Sequence, residues 1–516
     1  MSDLHVQQYK RFQSTGARLL IIAGAVALFI LVYFLPEPRP IHTASGDVLL
    51  THTGKVCIGI MVVAVVLWLT EALPFAMTSL MLLIIMPFFK ITEGMSVLKN
   101  GQVISVQGFR QGFYELIELS FGNRILFFFM GVFLLSAGFS QSGLGRRLVL
   151  WILRASGLSP GRVILGVLLG GTLISMWVTD MAAAAIMAAL GVEILRRFDI
   201  RPLESNFGRA LMIACCWGSL FGGIATPAGC GPNPIAIAFL KDMAGYSLTF
   251  SGWMILGLPA SLMLVPLGWV LLTRLFPFEI KKLDAKGADF KKELKDLGRP
   301  SRVEWWTIII FGLVILLWVS SDTIRKLTGG VVDLPMEWVA LFGGLILMFP
   351  GIDVMTMEQA EKSIPWNAII LVMASMGLGL MMYETGAARW MAWVLMGGLG
   401  DVNPVLRIAL VVTALLIIKV FLASNTVTGI IIIPLLISLA QDLNINPWML
   451  VAPAAFSASL GLILITQTPT NVIPYSAGFF TVREFLKSGL VMSIVVIMAL
   501  TAVIALLGPL TGIYKF

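Results

Sequence analysis

Phe421-Leu-Ala-Ser-Asn-Thr-Val-Thr-Gly429 is a short polar interruption in the run Ile408 to Ala440, whose single charge is Lys419. The run is too long for one simple membrane span and too short for two spans joined by a solvated loop, so a helix that breaks at mid-membrane fits it. Trp177-Val-Thr-Asp-Met181 interrupts Val163 to Val192 in the same way, and Asp180 is the single charge there. A break leaves N–H groups free and presents the positive end of a helix dipole, which suits an anion's oxygens, while freed carbonyls suit a cation. Ser424, Asn425 and Thr426 add short donors and acceptors. The plainer alternative is hydrogen bonding that only holds helices together.

The surrounding composition requires a membrane. Of 516 residues, 58% are hydrophobic and 12% charged, too few polar groups to clothe a water-soluble surface. Leu19 to Pro36, Leu211 to Leu240, Trp253 to Thr273, Trp306 to Ser321, Leu443 to Val482 and Ser488 to Tyr514 are uncharged. A hydrocarbon core about 30 Å thick takes roughly 20 helical residues to cross. Backbone groups in lipid must pair internally and no barrel-strand alternation is present, so the expectation is an all-α polytopic membrane protein. The formal net charge of +8 does not point to nucleic acid, because the basic residues lie between apolar runs, at Lys10, Arg11 and Arg18, at Arg196, Arg197 and Arg201, and from Lys281 to Arg302. The positive-inside rule makes the N-terminus and the 281–302 loop cytoplasmic, with the chain in a plasma membrane, the inner one in a bacterium. The acidic residues interleaved from Lys281 to Asp296 read as a solvated linker. The first apolar segment has no small-residue cleavage site before Pro36 and reads as a retained span. Cys57, Cys215, Cys216 and Cys230 lie in apolar runs and imply neither disulfides nor a metal site, and His5, His42 and His52 lie far from any core site.

The same order of signals occurs twice. The expected organisation is a tail and first span over 1–52, a first repeat over 53–275, a cytoplasmic linker over 276–304 and an inverted second repeat over 305–516. Each repeat has an uncharged stretch ending in a polar, glycine-containing turn, Ile125 to Ser142 and Trp366 to Tyr383, which reads either as a re-entrant hairpin or as an ordinary short span. Next come the interrupted runs. Each half then closes on an uncharged, helix-breaking segment, Gly222-Gly-Ile-Ala-Thr-Pro-Ala-Gly-Cys-Gly-Pro-Asn233 and Gly461-Leu-Ile-Leu-Ile-Thr-Gln-Thr-Pro-Thr-Asn471. Interrupted segments at corresponding places in two halves point to a transporter's midplane site.

These residues resemble the divalent anion/sodium symporter family, marked by a Ser-Asn-Thr triplet in each half and a Thr-Pro-containing loop after it. Ser424-Asn425-Thr426 matches the second triplet and Thr468-Pro469-Thr470-Asn471 its loop. Trp68-Leu-Thr-Glu-Ala-Leu-Pro74, Gly143-Leu-Gly-Arg-Arg147, Gly252-Trp-Met-Ile-Leu-Gly-Leu-Pro259, Pro365-Trp366 and Glu484-Phe-Leu-Lys-Ser-Gly489 agree along most of the chain. The resemblance implies dicarboxylate, tricarboxylate or sulfate substrates, sodium as the co-transported ion with no other cofactor, and a homodimer of elevator type. It implies substrate contacts at Thr179, Asp180, Met181, Ser424, Asn425, Thr426, Thr468, Pro469, Thr226 and Pro227. Cation or charge-coupling roles fall to Ser175, Thr179, Asp180, Lys419, Ala423, Asn425 and Gln467.

The chain departs from that pattern at its first triplet, Thr179-Asp180-Met181, where an amide becomes a carboxyl and a hydroxyl is lost. Its first loop reads Cys230-Gly-Pro-Asn233, and Gln467 stands where a small residue is usual. Lys419 lies five residues before Ser424, and a charge at that depth costs at least about 2.5–3.5 kcal/mol, so it should have a partner or a task. The hypothesis is that its ammonium replaces a sodium ion and that Asp180 pairs with it or titrates, making transport proton-linked or an exchange; sodium-coupled symport is the alternative. A structural ion pair or a snorkelling lysine would be the bland explanation. An intramembrane enzyme finds no His-Glu-x-x-His, no Gly-x-Ser-x-Gly and no paired carboxylates on an apolar run. A passive anion channel remains a rival with the same cavity.

Overall fold

The computed structural model describes residues 15–43, 46–99, 102–157, 159–280, 294–400 and 402–509. The basic residues Lys10 and Arg11 and most of the charged linker, 281–293, lie outside them, as does His5. Among the described residues nine helices are long and apolar enough to cross a membrane. The first apolar segment is one of these, the helix Thr15–Phe34.

By contact the chain forms two compact units, each drawing on both halves of the sequence: 1–126 with 365–400 and 430–444, and 127–364 with 401–429 and 445–516. In the first unit, Trp366–Glu384 packs on Phe75–Phe88 and Gly108–Phe121, and Thr15–Phe34 on His52–Thr70. Asp442 accepts from Arg389 Nε and Trp393 Nε1, both at 2.7 Å. This unit also carries two small antiparallel ribbons, Ile41–Thr43 with Gly46–Val48 and Ser96–Lys99 with Gln102–Ser105, which an all-helical expectation omits. They lie between the apolar runs, where polar connectors pair their own backbone groups.

The second unit holds both breaks. Pro160–Ser175 and Pro404–Ile418 each begin with proline, where the missing N–H costs nothing, after a Ser159 or Asn403 in extended conformation. Pro160–Ser175 packs closely on Asn206–Gly223 through small residues. A Cβ on Gly218 would come within 2.7 Å of the Leu168 carbonyl oxygen, and one on Gly222 within 2.3 Å of that of Thr172. Side chains can therefore bond across the contact, Thr172 Oγ1 donating to Gly218 O (3.0 Å) and Ser175 Oγ to Ser219 O (2.6 Å).

Each stretch ahead of a break is a helix that closes in a turn where the sequence placed one. Ile125–Ser142 is one unbroken helix and so is Trp366–Glu384. Their glycines do not break them, because internal i to i−4 bonding survives glycine in an apolar setting. The chain turns only afterwards, at Gly143 (φ 75°) and Gly386 (φ 73°).

A buried ion pair ties the start of Arg302–Leu327 to Leu144–Ser156. Arg147 donates to both Glu304 oxygens (2.7 and 3.0 Å) and to Gly298 O (2.9 Å), and the two side chains are 5% and 8% exposed. Glu304 also closes a capping box with Ser301. Removing one partner of such a pair leaves an uncompensated charge. Arg147→Met should therefore cost about 3–5 kcal/mol, and Arg147→Met combined with Glu304→Leu should recover part of it, read as thermal unfolding in detergent.

Candidate functional site

Both interruptions are helix breaks. In the first, Pro160–Ser175 ends, Met176 to Val178 turn, and Thr179 caps Asp180–Arg197, its hydroxyl accepting from Ala182 N at 3.4 Å. In the second, Pro404–Ile418 tightens into the 3-10 turn Lys419–Phe421, runs extended at Leu422 and restarts as Asn425–Asp442. Ser424 Oγ accepts from Val427 N at 3.4 Å.

The Gly/Pro segments are loops between helices in the same unit, Asn206–Gly223 to Pro232–Ala244 and Trp448–Ser459 to Pro469–Tyr475. One device closes both. Asn233 Nδ2 donates to Gly223 O (2.7 Å) and Thr226 O (2.8 Å), ten and seven residues back; Asn471 Nδ2 donates to Gly461 O (2.5 Å) and Leu464 O (3.4 Å), again ten and seven back. This register equates Cys230 with Thr468 and Gly229 with Gln467. Thr226 donates to the Met176 carbonyl and Asp180 N to Gly229 O (2.9 Å), so the first loop is fastened to the first break.

The breaks and loops converge on Asp180. Its Oδ2 accepts from Thr470 Oγ1 (3.1 Å), Asn425 Nδ2 (3.3 Å) and Cys230 Sγ (3.5 Å), and its Oδ1 from Met181 N (2.9 Å). Asn425 Nδ2 also reaches Cys230 Sγ (3.3 Å) and Ser459 O (3.4 Å), while Asn425 Oδ1 is buried with no partner. Ser459 Oγ donates to Asn233 Oδ1 at 3.1 Å, joining the cluster to the first loop's lock. Lys419 is fully buried, and its Nζ donates to Gln467 O at 3.3 Å. Gln467 Oε1 takes the N–H groups of Ile463 (2.9 Å) and Leu464 (3.0 Å), which stiffens the second loop.

Asp180 and Lys419 form no direct ion pair, each taking other partners, so the expected pairing is not met as a contact. The ammonium turns instead to a carbonyl freed by the loop. Of the other expected residues, Thr468 is buried, its hydroxyl 3.2 Å from that of Thr470, while Pro469 is exposed. Thr426 Oγ1 sits where a Cβ on Gly231 would fall, at 2.4 Å. Met181 is 43% exposed and contributes its N–H; Ser424 and Ala423 are half-buried at the second break. Ser175, Thr226 and Pro227 are buried beside the first break and outside the Asp180 cluster, with both hydroxyls spent on carbonyls. Cys230, Thr470, Ser459 and the two locking asparagines were not among the expected site residues. The spacing Gly-(nine residues)-Asn, present once per half, is the signal that finds the locks.

Residues 17–513 match the family model described as the sodium:sulfate symporter transmembrane region. The chain belongs to the sodium:sulfate symporter family. Membership places it among integral membrane transporters of small anions, not among enzymes. Similar proteins include the sodium-dependent dicarboxylate transporter SdcS of Staphylococcus saprophyticus, 28% identical over 98% of this chain and 96% of the relative, and SdcS of Staphylococcus aureus, 26% identical over 91% and 87%. Two solved structures share the fold: the Alcanivorax borkumensis YdaH transporter (TM-score 0.56, 13% identity, 85% of this chain and 98% of that one) and Neisseria gonorrhoeae MtrF (0.52, 14%, 83% and 93%).

The geometry of both loops rests on the asparagine locks. Asn233→Ala and Asn471→Ala should each cost about 1–3 kcal/mol per carbonyl left bare, seen as a lower unfolding temperature. Asn→Asp at either position keeps the shape but loses the donor, and should be destabilising too.

Proposed function

We propose that the chain is a secondary active transporter of dicarboxylates, tricarboxylates or sulfate that works by exchange or with a proton, the Lys419 ammonium standing where a co-transported cation would sit. The observation that carries this is the Lys419 contact with Gln467 O. By the register of the asparagine locks, Gln467 is the counterpart of Gly229, whose carbonyl faces the first break. A fixed ammonium on a carbonyl freed at a break supplies the charge that a bound cation would bring.

Sodium-coupled symport is the second reading. It is favoured by the relatives named as sodium-dependent dicarboxylate transporters and by the bare acceptor Asn425 Oδ1, which suits a cation. The inverted repeats over 53–275 and 305–516, a homodimer, elevator movement and an inner-membrane location with a cytoplasmic N-terminus belong to the same proposal. Their support is the family resemblance, the paired breaks and the positive-inside rule. Transport distinguishes this reading from a passive channel, which would neither saturate nor show trans-stimulation.

The test is uptake of labelled succinate, citrate and sulfate into proteoliposomes with choline replacing sodium at fixed pH. Saturable, trans-stimulated uptake should persist; collapse without sodium would select the second reading. Lys419→Met should lower uptake by about tenfold or more, equivalent to roughly 1.4 kcal/mol, and high sodium should restore part of it.

A further inference from the structure

Four groups donate to Asp180, and they come from four segments: Met181 N from its own helix, Asn425 Nδ2 from the helix after the second break, Cys230 Sγ from the first loop and Thr470 Oγ1 from the first turn of Pro469–Tyr475, after the second loop. A helix-opening aspartate needs only the N–H groups of its first turn, and Thr179 already caps this one. The three remote donors exceed that need. They converge on one carboxylate oxygen as they would on a ligand. Asn425 turns its donor end to Asp180 although this leaves its own buried oxygen bare.

We infer that Asp180 fills a carboxylate-binding subsite built from both breaks and both loops, and that this subsite takes a small free carboxylate once the Asp180 side chain is removed. The inference rests on the reading of this cluster as part of the transport site. Asp180 is then a tethered occupant, and a substrate carboxylate enters by displacing it. The Asn425 amide and the Thr470 hydroxyl pass from one carboxylate to the other, so these donors keep an acceptor throughout while the displaced Asp180 Oδ2 gives them up. The donors of the subsite stay satisfied without solute. A substrate's affinity is set by how much better it fills the subsite than Asp180 does.

The experiment is thermal unfolding of purified Asp180→Ala in formate, in acetate, in chloride at equal ionic strength, and in acetamide, which has acetate's shape without its charge. A ligand of the folded state alone raises Tm saturably. Formate and acetate should raise the Tm of Asp180→Ala by a few degrees, chloride and acetamide should not, and the wild type should not respond to formate. Asp180→Ser, which keeps a small polar group at the helix start, is measured in parallel in case the alanine protein does not fold. No carboxylate-specific shift in the variants, or an equal shift in the wild type, overturns the inference. Succinate uptake by the wild type is a separate readout: failure there removes the transport reading while a formate shift keeps the subsite, and the reverse pattern removes only the subsite.

Discussion

A peptide group freed at a helix break within apolar surroundings must find its partner inside the protein, and this constraint organises the second unit. The Asn233 and Asn471 carboxamides meet it for the loops, each holding two carbonyls that no helix can use. Asp180 N and Thr226 Oγ1 meet it where loop and break adjoin. The glycines of Asn206–Gly223 serve the same end, because only a surface without Cβ atoms lets Thr172 and Ser175 reach carbonyls on the neighbouring helix. With these groups satisfied, the remaining donors can turn towards a ligand.

On that shared skeleton the two halves carry opposite charges. The first break offers a carboxylate, Asp180, and the second an ammonium, Lys419, each seated on groups that the breaks and loops expose. Opposite charges within one buried region lower each other's cost without touching, since interaction in a low-dielectric interior reaches beyond contact distance.

The breaks were legible in the sequence because a polar group amid some thirty apolar residues has few places to go. Asp180 and Lys419 stood out for the same reason, as the single charges of their runs. The turns that close the stretches ahead of the breaks were legible from their glycines, whereas a stretch such as Ile125–Ser142, one straight helix, does not by its sequence separate a re-entrant course from a spanning one. Nor could the partners of Asp180 be read directly. Thr470 and Cys230 lie 290 and 50 residues away, and which loop meets which break is set by packing that no local pattern encodes. The resemblance supplied the triplets and one loop but placed substrate contacts on Thr226, whose hydroxyl is spent on a carbonyl.

The departures from the family pattern are spatially connected. Asp180, in place of an amide, lies 3.5 Å from Cys230, which stands where the second loop has Thr468. Gly231, where that loop has Pro469, leaves room for Thr426, whose hydroxyl would collide with any Cβ there. Gln467, in place of a small residue, presents to Lys419 the carbonyl that its own side chain helps to fix by holding Ile463 and Leu464. Two of these changes supply partners to another, Cys230 to Asp180 and Gln467 to Lys419, and Gly231 makes room for Thr426. A carboxylate at 180 needs donors, and the loops provide them; an ammonium at 419 needs a carbonyl held still, and Gln467 holds it. Because these residues share contacts, changes at 180, 230 and 467 should not add as independent sites would.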